Sequence, residues 1–206
     1  MIEKKIHKGE YLALGNVSQS HGNPGEINVG CEDRYIARSE WFQHEKRRVL
    51  RGKLTEPNKQ HRNFIWLPYV PGAINYTPSQ GKDVLSGKFS GCYMVAYQHV
   101  GGDRRVCHIA TPEAKEAWND LARTPGFEVF CGFKPMDCFK ETAVELNLAE
   151  AAVRRVADNG VFGIITGENT LFSFLALQVD GAYWKVADFQ QVKSLTEEEL
   201  KNLPLP

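Results

Sequence analysis

The chain has 206 residues, enough for one well-packed domain, and its 42% hydrophobic, 24% charged and 11% aromatic content is that of a water-exposed globular protein rather than a disordered or fibrous one. Lysine plus arginine and aspartate plus glutamate both number 25, so a chain-wide field for gathering nucleic acid is excluded. Five cysteines (31, 92, 107, 131 and 138) at irregular spacings, with no CxxC pair, argue against a disulfide framework and against a zinc site.

The N-terminus, MIEKKIHKGEYLALG, has no apolar core of the kind a cleavable signal needs. No apolar run reaches the roughly 18 residues needed to cross a bilayer. The expected location is therefore a cytosol, and if the protein leaves its cell it does so by a route other than a cleavable signal. The first sixty residues are polar. EINVGCEDRYIARS suggests strand and turn, and SEWFQHEKRRVL suggests a short helix after Ser39. The basic run Lys46, Arg47, Arg48, Arg51 and Lys53 is expected to be a solvated face rather than a phosphate-binding surface.

NFIWLPYV (63–70), ended by Pro71-Gly72, predicts a buried strand with Trp66 in the core. FSGCYMVAYQHV (89–100) and RRVCHIAT (104–111) flank Gly101-Gly102-Asp103 and predict a hairpin, with His99 exposed near its tip. Thr111-Pro112 predicts a helix start, with Ala114, Ala117, Trp118 and Leu121 on one face. ETAVELNLAEAAVRRVADNG predicts a helix ending at Asn159-Gly160. A strand VFGIITG follows, then a hairpin of LFSFLALQV and AYWKVADF around Asp180-Gly181. TEEELKNLPLP predicts a short terminal helix. The expected fold is α+β: a single domain over 1–206, with mixed β-sheets packed as a central sandwich and helices outside, in α/β/β/α layers.

Chemistry concentrates at SGKFSGC (86–92) and at His108, sixteen positions after Cys92. Ser90 and Gly91 permit a sharp bend at Cys92, an exposed sulfur, and free backbone N–H groups to face an oxyanion. His108, on the returning strand, would take the thiol proton and lower its pKa. Cys107 alternates with His108 and is expected to face the opposite side, into the core. Against this stands the plainer reading of Cys92 as an ordinary buried thiol.

The stretch FIWLPYVPGAINYTPSQGKDVLSGKFSGCYMVAYQHVGGDRRVCHIATPEAKEAW (64–118) resembles the family of glutamine deamidases that includes the Burkholderia lethal factor, the cytotoxic necrotizing factor and the chemotaxis receptor deamidase. The shared elements are WLP followed by an aromatic, a hydroxyl residue six positions before the cysteine, SGC, a glycine-rich turn, and HIA leading through a proline to a helix bearing Trp118. IITG and the Asp-Gly hairpin continue the likeness. Phe89 stands where relatives have leucine and Ser86 where they have threonine, and the hairpin between Cys92 and His108 is a few residues longer. The resemblance implies a toxin or effector that converts a glutamine of a target protein to glutamate through a cysteine thioester. Cys92 would be the nucleophile, His108 the acid–base, Ser86 the orienting third member, and Ser90 and Gly91 the oxyanion motif. No cofactor and no metal is implied. The implied partner is the protein carrying the glutamine, a translation initiation helicase or a Rho-type GTPase by family analogy, met by a monomer without nucleic acid or membrane. A cysteine transglutaminase or protease on the same dyad, or a non-catalytic binding module, are the alternatives. Asp188, Asn169 and Tyr69 are further polar or aromatic candidates near the site.

Overall fold

The computed structural model describes residues 2–14, 24–37, 44–54, 63–139, 159–180 and 183–204. The strands are β1 (Tyr11–Ala13), β2 (Gly25–Ala37), β3 (His44–Leu54), β4 (Asn63–Pro68), β5 (Ile74–Pro78), β6 (Asp83–Phe89), β7 (Tyr93–His99), β8 (Arg105–Ile109), β9 (Phe127–Phe133), β10 (Asn159–Ile165), β11 (Leu171–Asp180) and β12 (Tyr183–Val192). Two short α-helices are present among the described residues, α1 (Lys115–Ala122) and α2 (Glu197–Lys201). None is long and apolar enough to cross a membrane.

The strands form two sheets. One closes on itself as a barrel in the order β1-β12-β11-β10-β6-β4-β2-β3, and the other is four-stranded in the order β5-β8-β7-β9. Closure comes from two parallel contacts, β1 with β3 and β4 with β6, among otherwise antiparallel neighbours. Strand dominance and two sheets agree with expectation. The correction is that one sheet is a barrel with an interior of its own, not a flat sandwich layer. That interior is filled by Leu12, Ile27, Leu50, Phe64, Trp66, Leu85, Phe162, Phe174 and Trp184. Side chains alternate across a strand, so Ile65, Leu67, Val84 and Ile165 point outward from the wall. They meet Met94, Ala96, Val106 and Phe133 of the four-stranded sheet in a second core. β4 is therefore apolar on both faces, which is why NFIWLP reads as a continuous apolar run. A third core, with Val95, Cys107 and Ile109, lies under Trp118 of α1 and Leu200 of α2.

The 89–111 hairpin, the β11–β12 pairing and the terminal helix form as predicted. Thr196 and Glu199 close a capping box on α2. Three expectations change. The stretch expected as a helix after Ser39 is instead β3 from His44 onward, paired with β2 through Asp33↔Arg48 and neighbouring registers. The helix expected to open at Thr111-Pro112 begins at Lys115, after a turn and a cis Thr111-Pro112 bond, with Ala114 as N-cap. Asn159 and Gly160 open β10 rather than closing a helix, and the helix expected over 141–158 lies outside the described residues.

Candidate active site

Ser86, Phe89, Cys92 and His108 arrive from two sheets at one seam. Ser86 is on the outer face of the barrel wall, paired with Gly163 of β10. Strict alternation would turn Phe89 to the opposite face from Ser86. The β6–β10 register shifts, however, with Gly87 opposite Phe162 and Phe89 opposite Val161, so Lys88 is an extra residue. That bulge swings Phe89 to the seam. Gly87 carries no side chain because a Cβ there would lie 2.4 Å from the Phe162 ring.

From the opposing sheet, His108 pairs with Met94 across β7–β8. Cys92 lies two residues before Met94 and shares its core, so thiol and imidazole are on the same face of the sheet, one diagonal step apart. Cys92 lies at the bend just ahead of the ladder, since β7 begins at Tyr93. Cys107, between Val106 and His108, faces the third core as predicted, and full burial pushes its thiol well up. Burial likewise raises Cys131 to about 11.

His108 is held on every side. Its Nδ1 lies 2.8 Å from Ser86 Oγ, and Ser86 Oγ lies 2.6 Å from the Leu67 carbonyl. A hydroxyl has one proton, and a carbonyl can only accept it. Ser86 therefore donates to Leu67 and accepts from His108 Nδ1–H, which fixes the tautomer and leaves a lone pair on Nε2. That Nε2 is buried and makes no hydrogen bond among the described residues. Phe89 stacks on the ring at 4.1 Å and 11°, and Tyr69 leans on it at 5.2 Å and 51°. Burial lowers the His108 pKa to about 3, so the ring is neutral near pH 7. The expected thiolate–imidazolium pair is thus not the resting state. At rest the arrangement is a neutral imidazole with its Nε2 lone pair free of hydrogen bonds among the described residues.

The bend at 90–92 is small and open, with Ser90 exposed and Gly91 half-buried. Outside the ladders, neither the Gly91 nor the Cys92 N–H makes a backbone hydrogen bond among the described residues. Among the described residues, both N–H groups thus lie outside the backbone pairing at the bend that carries Cys92. The expected exposed sulfur is not found: Cys92 is only 3% exposed, packed in the core shared with Leu67 and Phe89. Thr111 Oγ1 lies 3.4 Å from where a Cβ on Gly91 would be, so the hydroxyl expected to cap a helix borders the bend instead.

No protein-family model matches this chain, and no curated protein matches it.

Asn169 and Asp188 belong elsewhere. Asn169 Oδ1 accepts from Arg104 Nε at 3.1 Å, tying the hairpin turn to the barrel. Asp188 lies 3.9 Å from Lys8 and accepts from Gln190. His99 is exposed and Trp66 buried in the barrel, both as predicted. Lys46 and Arg51 on the basic strand face water beside Asp33 and Glu32, at 3.6 and 3.2 Å. Tyr69, a candidate from sequence, does lie against His108. Phe89 and Thr111 escaped assignment to the site from sequence, because their relation to His108 and Cys92 depends on a bulge and on a loop path that carry no motif. No group of three or more potential metal-ligating side chains occurs among the described residues.

Proposed function

We propose that this chain is a protein-glutamine deamidase using Cys92, His108 and Ser86. The observation that carries the reading is the Ser86–His108 contact, which leaves the lone pair of Nε2, without a hydrogen bond among the described residues, on the same sheet face as the thiol. Sγ of Cys92 attacks the carboxamide carbon of a glutamine on the target protein while its proton passes to His108 Nε2. The carbonyl oxygen, now an oxyanion, is held by the backbone N–H groups of Gly91 and Cys92, with Ser90 at the rim. The imidazolium returns its proton to the nitrogen, the C–N bond breaks and ammonia leaves a thioester. His108 then takes a proton from water, whose oxygen attacks the thioester. Collapse frees glutamate and restores the thiol. Ser86 keeps Nδ1 protonated throughout, so that Nε2 is always the reacting nitrogen. This chemistry needs no cofactor.

The test is a comparison of wild type and Cys92→Ala incubated with cell lysate. Ammonia release and glutamine-to-glutamate conversion at a discrete site are expected, with a loss on the order of 10⁴-fold in the variant. Full activity in Cys92→Ala would sink the assignment. Incorporation of an added primary amine in place of water would indicate a transglutaminase, and backbone cleavage a protease. The burial of Cys92 favours one second reading, a non-catalytic module that keeps the scaffold. On that reading wild type, like Cys92→Ala, releases no ammonia and converts no glutamine in any lysate.

A further inference from the structure

The proposed reacting atoms are shut in, with Cys92 3% and His108 1% exposed. A substrate reaches them only if a side chain moves. Ser86 is fully buried and bonded to Leu67. Phe89 is 3% exposed and stacked flat on the imidazole, and Met94 is fully buried in the shared core. All three sit on strands whose ladders hold them, and moving any of them would unpack the seam.

Tyr69 differs in each respect. It lies just past the end of β4, in the connection to β5 and outside the ladders. It is half-buried, with one side to water. Its ring leans on His108 at 5.2 Å, and Cys92 is near enough to act electrostatically on its phenol. It packs at the margin of both the seam core and the core under α1. Its hydroxyl makes no hydrogen bond among the described residues, so no polar contact from them tethers the ring. Exposed rings change rotamer far faster than packed ones.

We infer that Tyr69 is the gate of this site, its ring covering the Cys92–His108 pair at rest and rotating toward solvent to uncover both. Gly91, next to Cys92, carries no side chain, and the small Thr111 lies beside it. An open gate therefore bares the thiol next to a glycine, where an unbranched side chain ending in a planar amide can approach closely. The gate's biological purpose rests on the deamidase reading, but its existence is measured independently of activity.

The experiment is iodoacetamide labelling of the intact chain, with each cysteine followed by peptide mass spectrometry. Tyr69→Ala is expected to raise the Cys92 rate by about tenfold or more, because the accessible fraction is no longer limiting. Cys107, in the other core, is expected to stay unreacted and so reports that the fold is intact. Tyr69→Phe should label like wild type, since the ring and not the hydroxyl is the cover. An unchanged Cys92 rate in Tyr69→Ala with Cys107 protected overturns the gate. Should Cys107 also react, Tyr69→Trp decides: a larger cover slows Cys92 labelling below wild type, and an equal or faster rate overturns the proposal. Faster labelling without deamidation in any lysate would leave the gate standing and defeat the deamidase reading.

Discussion

Ser86 has one proton to give, and the Leu67 carbonyl receives it. Replacing Ser86 with alanine strands the Nδ1–H of His108 in the core at a cost of about 1–3 kcal/mol, measurable as a lower urea midpoint. It also frees the imidazole to change tautomer, so kcat/KM for glutamine deamidation should fall on the order of 10²-fold. Ser86→Thr keeps the hydroxyl and should retain most of both. His108 makes the second prediction. Its folded pKa is lowered to about 3 from an ordinary 6.5, so between those values the unfolded chain binds more protons than the native one. Stability is complete above pH 6.5 and is lost as pH falls toward 3, by at most about 1.4 kcal/mol per pH unit. Urea midpoints at pH 7, 5.5 and 4 should therefore converge between wild type and His108→Gln as acid is added, if wild type starts higher. A constant gap would contradict the neutral buried ring.

At the level of elements, sequence and structure part company where an element's identity depends on its neighbour. The 89–111 hairpin was readable because its turn residues and its alternation are local. The stretch from 39 to 50 was not. Its glutamates, lysines and arginines are good helix formers, yet β3 is held by eleven registered pairs to β2, with Arg51 and Lys46 reaching Glu32 and Asp33 across the ladder. Strand preference is set by what lies opposite, which a single segment does not reveal. The same holds at the candidate site. Cys92, His108 and Ser86 stand out through residue type and spacing, and the opposite facing of Cys107 follows from alternation alone. Phe89 does not stand out, because only the extra residue at Lys88 turns it toward the imidazole. Loop path rather than composition places Tyr69, in the β4–β5 connection, and Thr111, just past β8.

For the molecule as a whole, the important distance is that between the barrel wall and the four-stranded sheet. Gly163 of the barrel wall packs tightly there: a Cβ on it would lie 3.0 Å from Pro135 and 3.1 Å from Met94 and Phe133 of the sheet. Gly163→Ala forces the two bodies apart or strains them, at about 1–3 kcal/mol. It should lower the melting temperature and also reduce deamidation more than that destabilisation alone would explain, because Ser86 directly opposite in the ladder is carried away from His108. Activity measured well below the melting temperature separates the two effects. A normal rate in a destabilised variant would show that the contact tolerates the shift.

The hydroxyl that sets the imidazole belongs to one body, while sulfur and imidazole belong to the other. Sulfur and imidazole therefore meet on the sheet alone, whereas the hydroxyl that fixes the tautomer comes only from the barrel wall. On the proposed deamidase reading, docking of barrel and sheet decides which imidazole nitrogen is left to face the thiol.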